Sequence, residues 1–262
     1  MTAKSSSVLK WLNIVAFLSM VLVNGLAGST TLIGGKNTAQ ISNSNPTLIT
    51  PAGYVFSIWG IIYLLLGVFV VFQALPPQRV KDFQKKIGGL FILSSILNIL
   101  WLFLWQLEYL ISSVVVIFLL LATLILIYLR LGIGKTMVSL RKKLAVHAPF
   151  SIYLGWITIA SIANVAVALV SINWGGFGIN PQIWATLIIL VALLITLTIL
   201  ITRKDLVYGL VVIWALVGIA VNQSGNQNIL LITGSSAIIL TISLAILIFL
   251  PLLKINTQGV KP

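Results

Sequence analysis

Side chains able to do acid–base, nucleophilic or metal chemistry are scarce in this chain. The acidic residues are Asp82, Glu108 and Asp205, the one histidine is His147, and there is no cysteine. Asp82 and Asp205 fall in basic loops and Glu108 in a tight turn, so no carboxylate is expected inside the long apolar runs. A proton- or sodium-coupled carrier commonly keeps one there, and a retinal Schiff base needs a mid-run lysine that this chain also lacks. His147 opens an apolar run beside a basic loop and reads as an interfacial residue; alone it cannot build a histidine metal site. No nucleophile–base pair or carboxylate cluster stands out. These residues point away from an enzyme and imply neither a metal nor a cofactor.

The chemistry that is present is aromatic and amide. Of eight tryptophans, Trp11 and Trp174 fit interfacial positions, whereas Trp59, Trp101, Trp105, Trp156 and Trp214 lie deeper. Asn98, Trp101 and Trp105 share one helical face, as do Trp156, Ala160, Ala163 and Asn164. Phe56, Trp59, Tyr63 and Gly67 form a third stripe. A buried amide in lipid must find partners, so Asn98 and Asn164 should face other helices. The stripes read either as helix–helix glue or as the walls of an apolar cavity with a few amide groups, and spacing alone does not choose between the two.

The elements that position these stripes are membrane helices. The 262 residues are 60% hydrophobic and only 7% charged, against about a quarter charged in soluble domains. Apolar runs of about 20 residues, the length that crosses a bilayer core, cover 8–27, 53–75, 87–107, 109–130, 147–172, 182–202, 206–222 and 228–253. An all-α polytopic membrane protein of about eight transmembrane helices is predicted. The net charge of +13 would suggest nucleic acid in a soluble chain, but here it sets orientation. Lys4, Lys10, Arg79, Lys81, Lys85, Lys86, Arg130, Lys135, Arg141 to Lys143, Arg203, Lys204, Lys254 and Lys261 all fall on one side, and only Lys36 on the other. The positive-inside rule puts both termini in the cytoplasm.

Two segments stay open at this point. Lys4, Lys10, the first apolar run and the small residues around Ala27 fit a retained helix or a secretory signal peptide; polar Asn13 and Asn24 favour retention. The loop 28–52, rich in Gly, Ser, Thr and Asn, is a flexible linker or a lid over a site on the extracytoplasmic face. The basic segment 131–146 anchors topology and attracts anionic headgroups of the membrane lipid.

Three motifs resemble the TspO/MBR family, which includes the bacterial tryptophan-rich sensory proteins and the mitochondrial translocator protein (peripheral benzodiazepine receptor). The run from Pro51-Ala52-Gly53-Tyr54-Val55-Phe56 to Trp59 and Tyr63 is similar to the start of that family's second helix. Asn98-Ile99-Leu100-Trp101 is similar to the Asn-x-x-Trp of its third. Pro149, Trp156 and Asn164 resemble a Pro…Trp…Asn series in its fifth. The chain departs from the pattern in having Tyr54 for a tryptophan, one residue fewer between Phe56 and Trp59, no proline after Trp101, a longer interval from Pro149 to Trp156, and three further spans. It reads as a long, divergent branch.

The resemblance implies a five-helix bundle over 1–172 followed by three additional helices over 173–262. It implies a pocket lined by the matching positions and closed by the loop 28–52. The expected ligand-binding residues are Trp59, Tyr63, Asn98, Trp101, Trp105, Trp156 and Asn164. The expected partner is a flat hydrophobic small molecule, a porphyrin or a sterol-like compound, and the chain would be a receptor or sensor. An uncoupled facilitator of a small hydrophobic metabolite is the alternative, and ligand-assisted porphyrin breakdown is a third reading. Leu126-Ile127-Tyr128-Leu129-Arg130 matches a cholesterol-contact pattern formally, and an interfacial Tyr–Arg pair explains it equally well. The added helices could flank the bundle where five-helix relatives form homo-oligomers. The localisation expected is a bacterial-type cytoplasmic (inner) membrane.

Overall fold

The computed structural model describes residues 3–30, 32–75 and 81–258, and every helix or turn among them is built without a strand. Arg79 and Lys261 lie outside the described residues, as do the side chains of Lys4, Lys81, Asp82 and Lys254. Helix α1 (Ala3–Ser29) leads to the short α2 (Thr38–Ser44), and a 3-10 turn at Gly53–Ser57 opens α3 (Ile58–Ala74). Then come α4 (Lys81–Ile87), α5 (Leu90–Gln106) and α6 (Leu110–Leu131). One turn, α7 (Leu140–Lys142), passes through a π-helical turn at Lys143–His147 into α8 (Ala148–Ser171). Pro149 sits in the first turn of α8, where its ring would press on the carbonyl four residues back in a regular helix; the wider π turn falls at that point. Helices α9 (Pro181–Arg203), α10 (Leu206–Asn222) and α11 (Gln227–Gln258) complete the described chain.

Six helical stretches are long and apolar enough to cross a membrane, while α5 and α10 are apolar but only 17 residues long. Large apolar side chains such as Leu64, Val115, Leu194 and Ile238 point outward uncovered, as they do when lipid rather than water is the solvent. The chain is a multi-pass membrane protein.

Contacts between turns sort the two ends of the bundle. At one end the Lys36 ammonium meets the Glu108 carboxylate of the α5–α6 turn at 2.7 Å, and Gln223, past α10, donates to the Thr47 carbonyl at 3.1 Å. At the other end the Arg203 guanidinium donates to the Ile133 carbonyl at 3.3 Å, joining the turn after α6 to the turn after α9. Gly134 has φ +76° and no room for a Cβ against the Arg203 carbonyl. Both α5 and α10 therefore run from one end to the other, about 26 Å at 1.5 Å per residue.

Packing follows the apolar faces. Phe69 of α3 lies 5.8, 5.1 and 5.0 Å from the rings of Phe83, Phe91 and Phe150, which ties α3 to α4, α5 and α8. Buried amides join helices in the same way: Asn13 of α1 donates to Gln73 of α3 at 2.9 Å. Interhelical bonds of this kind are worth roughly 0.6–2 kcal/mol in a membrane.

Asp205 lies in the basic turn between α9 and α10 and is buried there: it is 6% exposed and accepts from Ser151 Oγ at 2.7 Å, Tyr128 OH at 2.9 Å and the Tyr208 backbone N–H at 3.2 Å. Three donors and the N-terminus of α10 make a buried carboxylate tolerable. His147, next to the basic segment at the start of α8, is buried among neighbouring residues, 5% exposed within the π turn. Tyr128 thereby turns its hydroxyl inward, with the Arg203 guanidinium 5.6 Å from its ring, and offers no outward Tyr–Arg pair for a sterol.

Candidate ligand pocket

The segment after α1 is an ordered cap. Asn37 and Gln40 form a reciprocal capping box on α2, with bonds of 2.9 and 2.8 Å between each side chain and the other's backbone N–H. Gln106, at the end of α5, donates its amide to the Lys36 carbonyl at 2.8 Å and to the Ala27 carbonyl at 3.3 Å. Trp105 Nε1 donates to the Thr38 carbonyl at 3.3 Å. Ile41, Ser42, Ile49 and Thr50 are buried, so the cap has an inner face of its own.

The far side of the cap is held by α10. Asn222 donates to the Thr50 carbonyl at 3.0 Å, Trp214 Nε1 donates to the Val55 carbonyl at 3.1 Å, and the Ala52 N–H donates to the Gly218 carbonyl at 3.0 Å. A Cβ on Gly218 would collide with the Val55 side chain. Tyr54 meets the Trp214 ring edge-on at 5.3 Å. Three residues of one helix, Trp214, Gly218 and Asn222, thus grip the strap that enters α3.

Beneath the cap the tryptophan stripes converge. Trp59 of α3 lies 5.8 Å from Trp101 of α5 and 6.1 Å from Trp156 of α8, and Trp101 stacks on Trp105 at 5.9 Å. Phe56 meets the edge of Trp156 at 6.0 Å. These rings, with Ala160, Ala163 and Asn164 of α8 and Thr38, Ser42 and Pro51 of the cap, enclose a cavity of about 40 Å³. That is room for a water or two, well below the roughly 300–1,000 Å³ of small-molecule sites. A tetrapyrrole does not fit this conformation.

Polar groups around the cavity are mostly taken up by neighbouring helices. Trp101 Nε1 donates to Asn164 Oδ1 at 2.8 Å, and Asn164 Nδ2 donates to Ser113 Oγ at 2.9 Å, which joins α5, α8 and α6. Asn98 is 0% exposed; it donates to Tyr153 OH at 2.9 Å and accepts from Asn24 at 2.7 Å. Trp156, 3% exposed, keeps a buried indole N–H with no partner among the described residues. Such a group costs about 1–3 kcal/mol when left unpaired.

Of the residues singled out in the sequence, Trp59, Trp101, Trp105, Trp156 and Asn164 therefore line one cavity. Asn98 lies outside that lining, bonded between α1 and α8. Tyr63 stacks on Trp59 at 5.6 Å but borders a different feature, an open apolar groove of about 710 Å³ shared with Phe17 and Leu18 of α1. The third stripe thus divides: Phe56 and Trp59 face the cavity, and Tyr63 and Gly67 face α1. Sequence reasoning missed the cap residues, Ser113, Tyr153 and the grip of α10 on the strap. The Gly-Ser-Thr-Asn composition of the cap hid its buried face, although the Asn37…Gln40 spacing is a readable helix start.

No three His, Asp or Glu residues come together as a metal site among the described residues. A family model described as TSPO-like protein matches residues 10–250, from α1 into α11. No curated protein and no solved structure matches the chain.

Proposed function

The chain belongs to the TSPO-like family, and from that premise we propose that it is a membrane receptor or sensor for a flat, largely apolar ligand of tetrapyrrole or sterol type. The observation that carries this reading is the convergence of Trp59, Trp101, Trp105 and Trp156 on one enclosed cavity under an ordered cap. Rigid flat rings suit indole walls, since each aromatic pair adds about 0.5–1.5 kcal/mol beyond the burial of area. In this reading the conformation described is the closed one, and the cap lifts to admit the ligand. The binding residues are those four tryptophans and Asn164, with Asn98 and Tyr63 supporting them from behind.

In the same reading all eight long helices cross a bacterial-type inner membrane, with both termini and the basic loops in the cytoplasm. Residues 1–172 carry the pocket and 173–262 supply the helices that hold its cap. Binding rather than turnover is the assigned role, because the cavity walls offer rings and amides but no acid, base or nucleophile.

The test is a titration of the detergent-purified protein with protoporphyrin IX dimethyl ester, an uncharged flat ring, read by intrinsic tryptophan fluorescence. Saturable quenching at about one ligand per chain, weakened by Trp156→Leu, supports the reading. Unsaturable quenching that is identical in the wild type and the variant returns the tryptophans to packing alone.

A further inference from the structure

We infer that the pocket selects an uncharged ligand carrying a hydrogen-bond acceptor, and that Trp156 Nε1 is the donor that reads it. The inference rests on the proposed pocket and adds the chemical class of what fills it.

Two observations carry it. The first is the state of the donors. Trp101 has given its indole N–H to Asn164, Asn164 has given its amide to Ser113, and Trp105 has given its N–H to the Thr38 carbonyl. Trp156 lines the same cavity, is 3% exposed, and has no partner for its N–H among the described residues. An indole N–H can only donate, so the group that completes it must accept: a carbonyl, an ether or a ring nitrogen.

The second observation is charge. None of the residues lining the cavity is ionisable. Lys36, the cation carried by the cap, is already paired with Glu108 at 2.7 Å. A carboxylate brought into this space would meet the Trp156 N–H and the Thr38 and Ser42 hydroxyls but no counter-ion, and an unpaired buried charge is far more costly than a buried dipole. An ammonium group would meet no carboxylate, and the Asn164 amide oxygen already accepts from Trp101. A ligand with carboxylates must therefore keep them outside the cavity.

Three probes share one flat ring system and differ only at its edge: pyrene, 1-acetylpyrene and pyrene-1-carboxylate. Binding is read as tryptophan-sensitised pyrene emission at fixed detergent concentration. The expected order is 1-acetylpyrene about 3- to 10-fold tighter than pyrene, as one added net hydrogen bond gives, with the carboxylate the weakest of the three. Trp156→Phe keeps a ring and removes the donor; in it the acetylpyrene-to-pyrene ratio falls to about one while pyrene itself still binds. Trp184→Phe, which removes an indole N–H bonded to the Gly176 carbonyl outside the cavity, keeps the ratio and shows that the change in Trp156→Phe belongs to the pocket.

Equal affinity of pyrene and acetylpyrene in the wild type overturns the inference and leaves the pocket standing; a water that satisfies Trp156 just as well would give this result. A preference that survives in Trp156→Phe, or a carboxylate that binds best, overturns it too. Saturable binding by none of the three overturns the pocket reading, and the inference falls with it.

Discussion

At the scale of single residues, the tryptophans and the asparagines have different roles although they share the same helical faces. Asn164 bridges α5, α6 and α8 through Trp101 and Ser113. Asn164→Ala strands one donor, Trp101 Nε1, and one acceptor, Ser113 Oγ, in the core, so the apparent melting temperature in detergent should drop, by an effect worth about 1–3 kcal/mol. Trp156→Leu breaks no hydrogen bond in this structure; it should leave the melting temperature nearly unchanged while ligand binding is lost. Equal thermal losses in the two variants would contradict this division. The buried Asp205 answers to neither role. Asp205→Ala removes the acceptor of Tyr128, Ser151 and the first turn of α10 and should destabilise the protein as strongly as Asn164→Ala without changing affinity. Helical spacing made the Asn98–Trp101–Trp105 face readable in advance. The burial of Asp205 was not, because its donors come from α6 and α8, far along the chain.

At the scale of elements, the cap and α10 act as one unit. The cap's composition suggested a linker or a lid, and only contacts with distant residues decide what it is: Gln106, Trp105, Asn222 and Trp214 hold backbone carbonyls that no local pattern marks. For the same reason Trp214 read only as one of the deeper tryptophans, whereas with Gly218 it grips the strap at Val55. Asn222→Ala combined with Gln223→Ala frees the Thr50 and Thr47 carbonyls. Amide hydrogen exchange over 38–57 should then speed up by about tenfold, as the loss of roughly 1.4 kcal/mol of closure implies, with α5, α6 and α8 unaffected. Exchange that rises throughout the bundle instead would mean that α10 supports the fold rather than the cap. Asn37→Ala, which removes half of the capping box, should act in the same direction by about 0.5–2 kcal/mol on α2 alone.

At the scale of the whole molecule, the distribution of basic residues and the contacts between turns describe the same two ends, reached by independent routes. The positive-inside pattern separates Lys36 from the other basic residues, and the geometry sets Lys36 with Glu108, Thr47 and Gln223 at the end away from Arg203 and Ile133. The chain has no cysteine, so single cysteines report topology cleanly. Gly35→Cys and Gly225→Cys should react with a membrane-impermeant maleimide in intact cells, and Met137→Cys should react only after lysis. Labelling of Met137→Cys in intact cells would reverse the orientation. What the spans could not reveal is that the helices beyond α8 reach back to the pocket's cap, since apolar periodicity locates helices but does not say which of them touch.

The most direct measurement locks the cap shut. Thr50→Cys and Asn222→Cys replace two residues that the Asn222 amide joins in this structure, donating to the Thr50 backbone carbonyl at 3.0 Å. With the disulfide closed, as shown by loss of free thiol, protoporphyrin IX dimethyl ester should no longer quench tryptophan emission saturably, and reduction should restore binding. A locked protein that binds as tightly and as quickly as the reduced one would contradict a ligand site enclosed beneath this cap.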